Sequence, residues 1–185
     1  MSAPIFMGLD GEMTGLDMHQ GHKLCQVGLS FGACETYNSI VGWPHRDLAC
    51  NPESMAVHGI SRQAIAEGPS RGTVEAEMTQ FVVTRTTQRV HSVGWNVAGF
   101  DIPWFRSAFP EFSQRCLHYR TVDLNALCFA LSHTDNEYKR VKEASKRWAR
   151  DILGGTPRDH EAGYDAAASL LSFYYLRDRM EWRGE

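Results

Sequence analysis

No stretch of this 185-residue chain approaches the ~18 consecutive apolar residues of a membrane-spanning helix. The N-terminus, MSAPIFMGLDGEM, has neither the basic start nor the long apolar core of a secretory signal. Cysteine is sparse: five residues (Cys25, Cys34, Cys50, Cys116, Cys128), an odd number with no C-x-x-C pair. That excludes a disulfide scaffold and fits reduced thiols in a soluble, cytoplasmic protein with no membrane partner. An excess of positive charge is missing too. With a formal net charge of −3, the chain is not a generic polyanion-coating protein, and binding a phosphate chain would need a local device. Repeats, low-complexity tracts and Pro/Gly/Ser-rich linkers are also absent. What remains is 43% hydrophobic and 22% charged, of a length that suits one domain over residues 1–185.

Residues 4–10 read as a buried strand, a short apolar run ending at charge. Residues 24–32 and 35–42 read as two strands joined near Gly32 and Ala33, a hairpin. A loop with Pro44, Pro52 and Pro69 carries short helical pieces around AVHGISRQAIAE. Val74, Met78, Phe81 and Val82 then place a helix over 72–87. A strand at 89–95, a helix near 99–109, a last strand at 116–122 and helices near 123–132, 137–152 and 162–181 complete the order. Strands alternating with helices imply parallel crossovers and the early hairpin adds antiparallel strands. The expected fold class is therefore α/β, a mixed five-stranded sheet flanked by helices. In such sheets ligand sites sit where strands end and helices begin.

Acidic residues fall at those places. Asp10-Gly11-Glu12 ends the first strand, where residues two apart face one side and both carboxylates converge. Close carboxylates repel unless a divalent cation sits between them, and Mg²⁺ or Mn²⁺ prefers such oxygen ligands. Asp101, in Asn96-Val97-Ala98-Gly99-Phe100-Asp101, opens the helix after the later strand. His160-Glu161-Ala162-Gly163-Tyr164-Asp165 opens the last helix after the breakers Gly154, Gly155 and Pro157. Two helical residues five positions apart would point about 140° from each other, so a shared site favours His160 on the lead-in loop. A histidine there can take a proton from water, since imidazole titrates near 6.5.

The series D-x-E, N-x-x-x-F-D, H-x-A-x-x-D, spread across nearly the whole chain, resembles the DEDDh 3′–5′ exonucleases. That family includes oligoribonuclease, ribonuclease T and polymerase proofreading subunits. The resemblance implies a ribonuclease H-like fold, with Asp10, Glu12, Asp101 and Asp165 holding two divalent cations, Mg²⁺ or Mn²⁺, and His160 as general base. It implies two-metal hydrolysis of phosphodiester bonds from the 3′ end of short or single-stranded nucleic acid, RNA favoured, releasing nucleoside 5′-monophosphates. The segment Asp10-Gly11-Glu12-Met13-Thr14-Gly15-Leu16-Asp17 is most similar to oligoribonuclease, whose leucine wedges against terminal bases. Met13, Thr14 and Leu16 thereby become substrate-binding candidates. His118-Tyr119-Arg120 resembles that branch's H-Y-R, in which the tyrosine and arginine hold a very short substrate and the tyrosine reaches across a homodimer.

Other residues look like a different branch. Ala56-Val57-His58-Gly59-Ile60 resembles the V-H-G-I of proofreading and ribonuclease T-like members, which adds His58. Asn96 resembles the asparagine of their G-H-N-x-x-F-D, although Trp95 stands where histidine is usual. A proofreading DNA exonuclease is therefore one alternative, although nothing beyond the last helix reads as a polymerase tether. A catalytically silent nucleic-acid-binding module is the other; silent relatives would be expected to lose an acidic residue, and all four are present.

Three further features remain. Lys139, Lys142, Lys146 and Arg150 form one helical stripe, either a guide for a nucleic-acid backbone or a solvated face. His19, His22 and Cys25 have metal-ligand spacing but lack a nearby fourth ligand. Trp148 and Phe173 to Tyr175 lie at helical spacing and read as core.

Overall fold

The computed structural model describes residues 3–154 and 160–181. The breakers Gly155 and Pro157 lie outside the described residues. Strand β1 (Phe6–Met13) runs between β2 (Leu24–Gly32) and β4 (His91–Gly94), with β3 (Glu35–Ile40) and β5 (Val122–Asp123) at the edges. The order is β3-β2-β1-β4-β5. The first three strands pair antiparallel, while β4 and β5 run parallel to β1, with Gly8 beside Val93 and Gly94 beside Asp123. This is the mixed five-stranded sheet expected from the sequence.

Period-two alternation decides which side of β1 meets which layer. Met7 and Leu9 face a core shared with Val74, Met78 and Val82 of α3 (Arg71–Val83), Phe105 of α4 (Asp101–Ala108) and Phe112 of α5 (Pro110–Cys116). Phe6 packs instead with Leu170, Phe173 and Leu176 of α8 (Ala162–Glu181) and with Leu124 and Cys128 of α6 (Leu124–Ala130). Gly8 and Gly28 let α8 lie flat on that face, because a Cβ on either would run into the backbone of Ala166 or Ala162. Asp10 and Glu12 continue the row begun by Phe6 and Gly8, so the strand aims them at the first turn of α8. Helix α7 (Asp135–Leu153) packs against α8. Thr134 caps it by accepting from the Glu137 N–H, while Glu137 accepts from the His133 N–H.

The helical pieces of the proline-rich loop are α1 (Pro52–His58) and α2 (Arg62–Glu67), capped by Asn51 and Ser61. Helix α3 stops at Val83, short of 87, with the Thr84 hydroxyl donating to the Gln80 and Phe81 carbonyls of its last turn. The largest departure concerns 116–122. Pro110 starts a helix that runs to Cys116, leaving only a bridge between Val90 and Leu117 and the two-residue β5. Phe112 and Cys116, four apart, bury themselves in the α3 and α4 core, which favours helix over strand. Trp148 is likewise not core: it lies at the surface, 36% exposed, against Tyr175. All five cysteines are free. No helix among the described residues is long and apolar enough to cross a membrane.

Candidate active site

Three segments distant in sequence meet at the C-terminal ends of β1 and β4. Asp10 and Glu12 come from β1. Asp101, 4% exposed, is the first residue of α4 and is tied to the strand by the Gly11 N–H, which donates to its Oδ1 at 3.1 Å. The turn into α4 folds around Asn96, a left-handed residue (φ 58°) whose carbonyl accepts from the Gly99 and Phe100 N–H groups. Asp165 lies in the first turn of α8. Its Oδ2 accepts from the His160 N–H at 2.8 Å, which holds His160, also left-handed (φ 66°), on the lead-in to the helix. That lead-in is pinned to the hairpin: the Asn38 amide donates to Glu161 and the Ala162 N–H donates to Gln26. Donor atoms of Glu12, His160 and Asp165 lie within 4.8 Å of one another.

All five side chains line one cavity of about 360 Å³. Its electrostatics follow from crowding acids in a mostly buried place. Asp10 is pushed well above the usual carboxylate range by burial, then by the charges of Asp101, Asp165 and Glu12. Glu12 rises to about 8, by burial and then by Asp165 and Asp101. Asp101 rises to about 7 through burial, against the lowering effect of the hydrogen bond from Gly11. Carboxylates so placed hold protons unless cations replace them. An oxygen-rich set with one imidazole beside it suits hard divalent cations.

The rest of the lining is largely basic and aromatic. Lys142, Lys146 and Arg150 of α7 line the cavity together with Trp95 and Phe100. The Lys142 and Lys146 ammonium groups sit 4.8 and 5.2 Å from the Trp95 ring centre. Lys139 of the same stripe is exposed and lies outside the cavity lining. Trp95 is a site residue that the sequence offered only as a departure from the usual histidine.

The remaining candidates separate. His58 lies close enough to feel the charge of His160. Its imidazole is lowered chiefly by burial, its Nδ1 accepts from the Ile60 N–H, and its Nε2 is 3.8 Å from Cys25 Sγ. Leu16 stands 75% exposed on the loop after β1, and Asn96 is exposed at its turn. Met13 and Thr14 are both buried, Met13 in the core, with the Thr14 hydroxyl donating to the Ala49 carbonyl and accepting from the Lys23 N–H. Their side chains hold the fold. Tyr119 and Arg120 do not line this cavity within one chain. They follow the bridge at Val90, beside the start of β4, whereas the acids sit beyond its end. Tyr119 lines a separate cavity with Arg89 and Arg106. His19, His22 and Cys25 form no ligand cluster among the described residues; His22 accepts from the Asp17 N–H and Cys25 donates to the Glu12 carbonyl.

The RNase T family model, described as exonuclease, matches residues 7–173, a span that contains all five of these residues. DNA polymerase III subunit epsilon of Rickettsia prowazekii is 31% identical over 84 residues, covering 42% of this chain and 35% of that protein. The Rickettsia typhi subunit matches equally. The chain thus spans about a third of the length of these curated relatives. Among solved structures, E. coli exonuclease I in complex with a dT13 oligonucleotide superposes with a TM-score of 0.66 at 17% identity, covering 98% of this chain and 43% of that one. Cell-death related nuclease 4 gives a TM-score of 0.62 at 15% identity, covering 97% and 64%. These likenesses establish the fold.

Proposed function

Because the chain belongs to the RNase T family of exonucleases, we propose that it is a metal-dependent 3′–5′ exonuclease acting on short or single-stranded nucleic acid. One observation carries this reading: Asp10, Glu12, Asp101, His160 and Asp165, drawn from three segments, converge on one cavity. In this reading the four carboxylates hold two divalent cations, Mg²⁺ or Mn²⁺. When bound, those ions supply the positive charge that steadies the reacting phosphate and the departing 3′ oxygen.

The chain's own residues do the rest. The Gly11 N–H and the backbone of His160 fix the directions of Asp101 and Asp165. His160, exposed at the cavity mouth, takes the proton from the attacking water and returns it to solvent. The products are nucleoside 5′-monophosphates. Leu16, His58 and Asn96 are the candidates for holding the terminal nucleotide. Tyr119, 69% exposed and remote from the acids of its own chain, would act only across a homodimer.

A preference for RNA rests on the similarity of residues 10–17 to oligoribonuclease. The second reading, a DNA exonuclease working beside a polymerase, is favoured by the match to the polymerase III epsilon subunits. One assay separates them: RNA dinucleotides, longer RNA and single-stranded DNA compared side by side with Mn²⁺, with Asp10→Ala as blank. Stepwise loss of mononucleotides from the 3′ end is the expected result, and the substrate cut fastest selects the branch. Equal turnover in excess EDTA would overturn the metal-dependent reading.

A further inference from the structure

The mechanism above leaves the basic wall unused. Lys142, Lys146 and Arg150 follow one another at four-residue spacing, an arrangement that like charges disfavour. The structure does not relieve Lys142 and Lys146 with carboxylates: neither has an ion-pair partner among the described residues. Instead Lys142 donates to Asn125 Oδ1 at 3.1 Å, and both ammonium groups rest on the Trp95 indole. Trp95 and Asn125 therefore hold two cations in the lining of the same cavity that the carboxylates line. Successive members of the row are about 6 Å apart along α7, so the row extends for about 12 Å. That reach exceeds a single phosphate.

Resting on the nuclease reading, we propose that Lys142 and Lys146, seated on Trp95 and continued by Arg150, form a phosphate track for the backbone on the 5′ side of the bond to be cut. The track sets a length preference. A dinucleotide with a 5′-hydroxyl has one internucleotide phosphate, the one that is cleaved, and leaves the track empty. A trinucleotide places one phosphate on it, and a pentanucleotide places several.

The test compares 5′-hydroxyl di-, tri- and pentanucleotides, followed chromatographically with Mn²⁺, for wild type, Lys146→Ala, Lys146→Arg and Lys139→Ala. Lys146→Ala should raise KM for the pentanucleotide about tenfold, the worth of one charge-assisted phosphate contact. Its factor on the dinucleotide should be at least about threefold smaller, and the salt dependence of pentanucleotide affinity should flatten by about 0.7 in log–log slope. Lys146→Arg should restore most of the loss, and Lys139→Ala, outside the cavity, should match wild type at every length. The same factor at all lengths, or no effect at any, overturns the track. If wild type cuts nothing, the nuclease reading falls by itself. The track is then decided by fluorescence anisotropy of a labelled pentanucleotide with Mn²⁺: weaker binding by Lys146→Ala keeps it and unchanged binding removes it.

Discussion

Chelation with EDTA leaves Asp10, Glu12, Asp101 and Asp165 facing one another with only protons to reduce their repulsion. Asp101, 4% exposed, has its folded pKa raised from 3.8 to about 7. Below pH 4 the folded and unfolded chains are both protonated there. As pH climbs, the unfolded chain releases its proton first, so folding loses ground until Asp101 ionises near 7. At about 1.4 kcal/mol per pH unit, the roughly three units amount to about 4 kcal/mol for this one group. That is an upper bound for the whole cluster's first proton, since coupled neighbours share it. Glu12, raised to about 8, extends the window upward. Between pH 5 and pH 8 Asp101 passes through about two of those units, about 3 kcal/mol, so at about 2–4 °C per kcal/mol for a chain of this size Tm in EDTA should fall by up to about 6–12 °C. Mn²⁺ at about a hundred times its Kd should return about 2.7 kcal/mol at pH 8, and much less at pH 5, where protons already occupy the oxygens. Differential scanning fluorimetry at pH 5, 6.5 and 8, with EDTA or MnCl₂, reads both effects. Asp101→Asn should flatten the EDTA curve and raise Tm at pH 8, because an amide there still accepts from Gly11. A Tm in EDTA that stays level or rises from pH 5 to 8, or a Mn²⁺ shift equal at both ends, would refute the account of the cluster.

Three further outcomes follow from the geometry. Asp10→Ala or Asp165→Ala should abolish release of mononucleotides while leaving the far-ultraviolet circular dichroism unchanged; residual turnover near wild type would remove that residue from the site. His160→Ala should slow kcat by roughly 10²–10⁴-fold, the usual worth of a positioned base, and an unaltered rate would retire the assignment. Gly28→Ala should cost roughly 1–3 kcal/mol of stability, because its methyl meets the Ala162 carbonyl and lifts the start of α8. An unchanged Tm in a calorimeter would show that the helix does not dock so closely.

The site was legible where local rules and the ligand chemistry agree. An apolar run ending in D-x-E gives two carboxylates on one strand face, and breakers before H-x-A-x-x-D place a histidine on a lead-in and an aspartate in a first turn. Other features depend on packing that local patterns do not specify. Residues 110–116 form under two turns, too few for a periodic signal, and their helix exists because Phe112 and Cys116 find the α3 and α4 core. Thr14 looks polar and available in sequence, yet the loop closing β1 onto β2 consumes its hydroxyl. The lysine stripe was visible, but its direction was not. Only the docking of α7 on α8 turns Lys142 and Lys146 towards Trp95, and an aromatic residue at a strand end was the one cue available.

The docking of α8 across Gly8 and Gly28 also bears on the protein's birth. A chain still emerging from the ribosome exposes β1 and α4 long before Asp165 and His160 have been translated. The cavity shared by the five site residues therefore cannot assemble until α8 has been made and has settled across Gly8 and Gly28.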